Sequence, residues 1–160
     1  MQRFFDDKNS EKLKKELDSW LGTPYRHYCG VKNKGTDCIH FIIRIIEKLG
    51  ANQGRNLIIK QYPKDWNLHR GEELLKEEMS KQLYIETIAE RDKDNILKFS
   101  EKVHNGDIIL FKFGRLSGHC GMFFENQVYQ SLNGRRVEKI SFYNKDFYRR
   151  ITEIYKIFRV

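Results

Sequence analysis

Cysteine, proline and long apolar runs are all scarce in this sequence, and each shortage excludes a class of protein. The 160 residues include three cysteines, an odd number without a CxxC pair, which argues against a disulfide framework and a zinc ribbon. Two prolines and no low-complexity run or repeat indicate no linker between domains. The most apolar stretch, residues 39–49, is interrupted by four polar or charged side chains, which excludes a membrane span there.

The first residues also contain no export signal. Residues 1–7 mix two phenylalanines with charged side chains and have no apolar core of the length that a secretory signal needs. We therefore expect the chain to be made as a soluble cytoplasmic protein. If it acts outside the cell, a carrier such as a tail-like particle, or cell lysis, must release it.

The residues that are abundant suit one basic domain. Aromatic residues make up 13% of the chain, and a length of 160 residues is typical of a single domain. The net charge of +8 favours an anionic partner such as nucleic acid, a membrane surface or a cell-wall polymer, although it also serves solubility alone. No other feature supports nucleic acid, so we expect no nucleic-acid partner.

The order of predicted elements indicates an α+β domain. Apolar periodicity predicts helices at residues 10–20, 38–49 and 72–89, followed by strands at 107–113, 119–125, 128–132, 136–140 and 154–160. Helices that precede strands favour α+β over alternating α/β architecture. We predict one domain over residues 1–160, with residues 1–20 as an N-terminal helical extension.

The second predicted helix begins with a cysteine. Its polar residues His40, Arg44, Glu47 and Lys48 form one narrow stripe, and the other sides are apolar, which predicts a largely buried helix. Cys38 lies in the first turn, where unpaired N–H groups and the helix dipole stabilise a thiolate. Free cysteines are also ordinary core residues, so its position alone does not identify a nucleophile.

A thiol nucleophile needs a base within hydrogen-bond reach. His119 is the best candidate, because it begins a predicted strand and is flanked by the small residues Gly118 and Cys120. His40 follows Cys38 by two residues and so points to a different side of the helix. The alternative for His119 is a surface histidine at a strand edge.

Four segments resemble the NlpC-type papain-like cysteine peptidases, the NlpC and p-sixty family. Residues 20–25 with 35–38 are similar to its nucleophile motif, 106–111 to the strand before its histidine, 119–123 to the histidine strand, and 128–131 to the strand with the third catalytic residue. Residues 62–66 and 147–159 resemble the branch of that family found in phage tails and gene transfer agents.

The resemblance implies a role for each matching residue. Cys38 would be the nucleophile, His119 the general base and then acid, and Gln130 the residue that orients the imidazole. Tyr25 and Asp37 would line the site for the amino-terminal part of the substrate. The implied fold is papain-like, with a buried nucleophile helix packed on a C-terminal antiparallel sheet. No metal or other cofactor is implied.

Two departures from the family pattern affect the expected site. Ile39 and His40 stand where many members have serine and glycine, which puts the substrate pocket in question more than the chemistry. The third residue is ambiguous as well. A two-residue turn at 126–127 leaves Gln130 far from His119, whereas a three-residue loop centred on residue 126 places Asn133 opposite His119. Gln130, which the resemblance favours, and Asn133 are therefore both candidates for the third catalytic residue.

Three functions follow from these patterns. The first is a cysteine hydrolase that cleaves cell-wall peptides, which this family does beside a γ-linked D-glutamyl residue, as part of a tail-like particle with its assembly proteins. The second is a structural tail or assembly protein with the same fold and weak catalysis. The third is a thiol acyltransferase, because residues 37–41 faintly resemble such enzymes; their histidine precedes the cysteine, which would assign the base to His27.

Overall fold

A computed structural model of the chain describes residues 1–59, 71–114 and 117–160, and their side chains except those of 71–75 and 117. The segment at residues 62–66, which resembles the phage-tail branch, lies outside the described residues. None of the described helices is long and apolar enough to cross a membrane.

The described residues form four helices and nine strands. The helices are α1 (Ser10–Ser19), α2 (Cys38–Lys48), α3 (Gly71–Gln82) and α4 (Lys145–Tyr148). The strands are β1 (Gly30–Val31), β2 (Gly35–Thr36), β3 (Ile85–Arg91), β4 (Leu97–Phe99), β5 (Ile108–Phe113), β6 (Ser117–Phe124), β7 (Gln127–Gln130), β8 (Glu138–Ser141) and β9 (Ile151–Ile157).

Seven of these strands form one antiparallel sheet in the order β4-β3-β9-β5-β6-β7-β8. β1 and β2 pair separately as a short hairpin just before α2. The three longer helices precede most of the sheet, and this architecture confirms the predicted α+β class with a papain-like fold. The helix α2, which begins at Cys38, packs against β6, in agreement with the expected packing of this helix on the C-terminal sheet.

Side chains on the sheet alternate between two apolar clusters. Along β5, Ile108 and Leu110 pack into the cluster that contains α1 and α2, whereas Ile109 and Phe111 pack into a cluster on the other face. This alternation follows from the two-residue period of a strand. The sheet is therefore buried on both faces at its centre, and the strand register that positions side chains near α2 is strongly specified.

One predicted helix is too long, and the strands that follow it were not predicted. The helix predicted to residue 89 ends at Gln82, and the next residues form the seven-residue strand β3. β3 pairs with β9 on one side and with the unpredicted β4 on the other. Its β-branched residues Ile85, Thr87 and Ile88 fit a pleated surface, and pairing along both edges outweighs the local helical pattern.

The β6–β7 turn lies one residue earlier than the expected two-residue turn and is one residue shorter than the expected three-residue loop. Glu125 and Asn126 have positive φ angles of 47° and 63° and form a two-residue turn, which pairs Phe124 with Gln127. Left-handed backbone at both central positions is typical of the turn whose twist matches antiparallel strands. The resulting register places Gln130 opposite Gly121, two residues from His119 along the strand.

Candidate active site

Asp37 fixes the start of α2. Its Oδ1 accepts a hydrogen bond from the backbone N–H of His40 at 2.9 Å, which caps the helix. Its Oδ2 accepts from the backbone N–H of Tyr28 at 2.8 Å. The same carboxylate thus ties the preceding loop to the helix and sets the position of Cys38.

Strand β7 also holds this loop in place. The hydroxyl of Ser131, directly after β7, donates to the carbonyl of Thr36 at 2.7 Å, and both residues are buried. The same carbonyl accepts from the backbone N–H of Arg26 at 3.1 Å. These bonds join the beginning of α2 to the end of β7, which carries Gln130.

Cys38 is a free, buried thiol with 5% of its surface exposed. It interacts with two side chains of β6, Cys120 and His119. A hydrogen bond from the Cys120 thiol and one from His119 lower the pKa of Cys38 to about 6, against the opposing effect of burial. The first turn of a helix adds partial positive charge at the same place. The arrangement therefore stabilises a thiolate at neutral pH.

His119 lies in an apolar setting that fixes its ring. It pairs across the sheet with Phe111, and its ring centroid is 5.6 Å from the rings of both Phe111 and Phe113. Only 3% of the residue is exposed. Close packing on two aromatic rings restricts the imidazole to one orientation, and that orientation brings it to Cys38.

Gln130 stands behind the imidazole. Its Oε1 lies 2.9 Å from Nε2 of His119, and the glutamine is fully buried. An amide oxygen can only accept, so Nε2 carries the proton and donates, which leaves Nδ1 for the thiol of Cys38. The structure therefore links Cys38, His119 and Gln130 in one chain of contacts, whereas the rival Asn133 is exposed beyond the end of β7.

A glycine makes the diagonal contact possible. Gly121 pairs with Gln130 across the hairpin, so the Gln130 side chain can lean toward His119 without meeting a side chain in between. A Cβ atom at residue 121 would lie 2.6 Å from Cγ1 of Val128 and 2.9 Å from the carbonyl oxygen of Tyr129. Such distances are too short for real carbon atoms, and so this position requires glycine.

Glu138 places a carboxylate next to the neutral side chain of Gln130. Its Oε1 lies 3.5 Å from Nε2 of Gln130 and 2.8 Å from a guanidinium nitrogen of Arg135. The carboxylate favours the amide orientation that directs Oε1 toward His119. Sequence reasoning missed Glu138, because its relation to the imidazole depends on the β7–β8 register, in which Glu138 pairs with Gln130.

Tyr25 reaches the site from the loop before β1. Tyr25 forms an isolated parallel β-bridge with Thr36, and its side chain is partly exposed. Burial raises the pKa of its phenol well above the usual value, and the nearby charges of Cys38, Asp37 and Cys120 add to that effect. Tyr25 is therefore a neutral hydroxyl beside the thiol.

Asp37 and His40 form a pair that the sequence did not predict. Nδ1 of His40 lies 2.8 Å from Oδ1 of Asp37, and its ring packs edge-on against Tyr28 with centroids 4.8 Å apart. The expectation that His40 belongs to a solvent-facing stripe is wrong, because only 7% of it is exposed, while Arg44, Glu47 and Lys48 are exposed as predicted. Asp37 is buried, and its carboxylate contacts the backbone N–H of Tyr28 and both the backbone and the ring of His40.

Cys120 is a second thiol at the candidate site. It is fully buried and interacts directly with Cys38. Its place next to His119 was the available signal, since α2 packs against β6. In the part of the chain that the structure describes, no group of three or more His, Cys, Asp or Glu side chains is arranged to hold a metal ion.

Comparison with known proteins assigns the chain to one protein family. The sequence profile described as the NlpC/P60 family matches residues 22–156, which is most of the chain. No curated protein matches the chain significantly.

Solved structures give the same fold at low sequence identity. An NLP/P60-family protein of Staphylococcus aureus, described as similar to lipoprotein, has a TM-score of 0.59 and 15% identity, covering 98% of this chain and 43% of its own. A Bacillus cereus NlpC/P60-family protein has a TM-score of 0.56 and 19% identity, covering 94% and 40%. The NlpC/p60 domain of peptidoglycan hydrolase SagA has a TM-score of 0.54 and 14% identity, covering 91% and 97%. This chain thus spans less than half of the first two proteins.

Proposed function

The chain belongs to the NlpC/P60 family, whose members are typically cysteine peptidases that hydrolyse peptidoglycan, and we propose that it cleaves cell-wall peptides through Cys38. The observation that carries this proposal is the chain of contacts from Cys38 through His119 to Gln130. The structural neighbour SagA is a peptidoglycan hydrolase, which supports a substrate of that class.

The proposed reaction has two steps. The Cys38 thiolate attacks the carbonyl carbon of the scissile amide, and protonated His119 gives its Nδ1 proton to the leaving amine, which forms an acyl-enzyme. His119 then takes a proton from water, the hydroxide attacks the thioester, and the Cys38 thiolate leaves. The Cys38 backbone N–H, free at the helix start, is a candidate donor to the oxyanion.

The remaining predicted residues would act on the substrate. Tyr25 would donate its hydroxyl to the amino-terminal part of the peptide. Asp37 would attract the substrate ammonium group by charge, since its two oxygens already accept from Tyr28 and His40. The His40 side chain occupies space that glycine leaves open in many members of the family. We therefore expect a narrower or differently shaped substrate pocket.

The setting we propose is a phage-tail or gene-transfer-agent-like particle. It is supported by the sequence resemblance of residues 62–66 and 147–159 to that branch of the family. In that setting the assembly proteins of the particle would be partners, and the particle or cell lysis would bring the enzyme to the wall. Sequencing of neighbouring genes tests this, and a locus without tail-assembly genes would contradict it.

The test of the activity is hydrolysis of purified wall peptides by wild type and by Cys38→Ala, with products identified by mass spectrometry. We expect Cys38→Ala to remove hydrolysis, because Cys38 is the thiol whose pKa His119 lowers and the proposed nucleophile. Cys29→Ala is the matched control, since Cys29 is free and only partly buried, and it should leave the rate unchanged. Unchanged hydrolysis in Cys38→Ala would overturn the proposal.

A structural protein with weak catalysis is the second candidate, favoured by the 5% exposure of Cys38 and by the His40 departure. It predicts no hydrolysis in the wild type despite an intact fold. For the acyltransferase alternative, comparison of His27→Ala with His119→Ala decides the base: loss only in His119→Ala excludes the arrangement with His27.

A further inference from the structure

Two thiols from different elements meet at the candidate active site. Cys38 is the first residue of α2, and Cys120 lies in β6 beside His119. Both belong to the same buried cluster, where α2 packs against β6, and each thiol shifts the pKa of the other. Both thiols also contribute to the raised pKa of Tyr25, which lines the same site. The cysteines of the chain are free, so the pair is a dithiol.

The two thiols differ in reactivity. Cys38 is the one that ionises near neutral pH, and it keeps a small exposed surface. Burial and the neighbouring Cys38 raise the pKa of Cys120 well above its usual value, and Cys120 is fully buried. Oxidants react with thiolates rather than thiols, so a small oxidant meets Cys38 first. Cys120 is then a protonated thiol already held against the oxidised sulfur.

We propose that Cys120 is the resolving thiol of a peroxide-sensitive pair with Cys38. The Cys38 thiolate attacks one oxygen of hydrogen peroxide, the O–O bond breaks, and Cys38 becomes a sulfenic acid while hydroxide leaves. The Cys120 sulfur then attacks the Cys38 sulfur, a disulfide forms, and the sulfenic oxygen leaves as water with the Cys120 proton. Two thiols lose two electrons, and one peroxide accepts them.

The disulfide would change the site in two ways. It would consume the nucleophile, and it would remove the thiol that donates a hydrogen bond to it. It would also keep Cys38 from the sulfinic acid, a further oxidation state that ordinary reductants do not reverse. A disulfide holds its sulfurs about 2.05 Å apart, so rotation about the side-chain bonds of Cys38 and Cys120 must close their present contact. As a control of hydrolysis the pair rests on the proposed function, whereas the disulfide itself does not.

The test is mass spectrometry of the full chain after treatment with a small excess of hydrogen peroxide. We expect the mass to fall by about 2 Da, the loss of two hydrogens, and a proteolytic digest to contain residues 38 and 120 in one cross-linked species. Dithiothreitol should restore the original mass and free thiols. Cys29→Ser, which changes the thiol outside the pair, should behave like wild type.

Replacement of the resolving thiol separates the pair from a lone reactive cysteine. In Cys120→Ser, peroxide should add about 32 Da at Cys38, and dithiothreitol should not reverse the change. Cys120→Ala gives the same readout in a variant without a hydroxyl, and circular dichroism of both variants confirms folding. If neither variant folds, the mass change and the cross-linked species of the wild type decide the proposal.

Three outcomes would overturn the proposal. They are irreversible addition of oxygen to Cys38 in wild type, a cross-link through Cys29, and full retention of free thiols under peroxide that oxidises glutathione. Hydrolysis is scored separately on the same samples. A chain that forms the disulfide but never hydrolyses wall peptides supports the thiol pair and contradicts the proposed function. A chain that hydrolyses wall peptides but never forms the disulfide supports the proposed function and contradicts the thiol pair.

Discussion

The two halves of the candidate site are built differently. The half formed by Cys38, His119 and Gln130 is held by regular elements, in which strand register and aromatic packing set each side chain. The half around Asp37 and His40 is held by side-chain hydrogen bonds to a loop and a helix start. The second half contains Asp37, which matches the family pattern, and His40, which departs from it. We therefore propose that chemistry and substrate choice depend on separable parts of this fold.

The largest effect is expected in the chemical half, from His119→Ala. Loss of the proton-transferring group should lower hydrolysis by about 10²–10⁴-fold. It should also raise the pKa of Cys38, since His119 stabilises the thiolate. Steady-state kinetics and the pH dependence of alkylation measure the two effects. Equal hydrolysis by His119→Ala and wild type would remove His119 from the mechanism.

Gln130→Ala should have the next largest effect. The imidazole would lose the acceptor at Nε2, and we expect kcat to fall by about 10-fold to 100-fold with little change in KM, because the substrate contacts stay. Asn133→Ala is the matched control, since Asn133 is exposed and should leave both constants unchanged. The opposite ranking of these two variants would restore Asn133 as the third residue.

Gly121→Ala tests the packing that brings Gln130 to His119. The added methyl group would meet Val128 and the backbone of Tyr129, so we expect a loss of about 1–3 kcal/mol in the free energy of unfolding. Gly134→Ala is a control with open space around the new atom and a positive φ of 82°, and it should cost only about 1 kcal/mol. Urea unfolding curves give both values, and a smaller loss for Gly121→Ala would contradict the crowded contact.

Replacement of Asp37, in the substrate half, should have the smallest effect. It should shift the pKa of Cys38 in the direction opposite to that expected for His119→Ala. Asp37→Asn keeps one capping oxygen but replaces the other, which accepts from the backbone N–H of Tyr28 or His40, by an NH₂ group; we expect this to reduce stability by about 1 kcal/mol. The negative charge of Asp37 raises the pKa of Cys38, so its removal should lower that pKa and extend thiol ionisation to more acidic solution. Alkylation followed between pH 4 and 9 (a range of about five units) measures the direction. An upward shift would contradict the electrostatic account.

Motifs and periodicity predicted the elements that carry the chemical half, because local sequence marks them. Cys38 follows a capping aspartate at the start of α2, and His119 lies near the start of β6. The contact of His119 with Gln130 needed the hairpin register, which depends on a turn at Glu125–Asn126 that is one residue earlier than expected. The roles of these residues in catalysis and the assignment of residues 1–160 to one domain stay predictions.

The parts that the sequence could not predict depend on tertiary contacts. The pairing of β3 with β9 overrides a helical pattern, and the burial of His40 follows from its contacts with Asp37 and Tyr28. Glu138 and Cys120 were missed for the same reason. The position of Glu138 beside Gln130 depends on the β7–β8 register. The position of Cys120 near Cys38 depends on the packing of α2 against β6.

The most direct test of the central claim is the pH dependence of Cys38 alkylation in the folded wild-type chain. Iodoacetamide modification of Cys38, resolved from the other cysteines by peptide mass spectrometry, should rise with pH to half its maximal rate near pH 6, because the hydrogen bonds from Cys120 and His119 lower the pKa of Cys38 to about 6. A midpoint near the ordinary thiol value of about 8.5 would show that the site does not stabilise a thiolate, and would contradict the account.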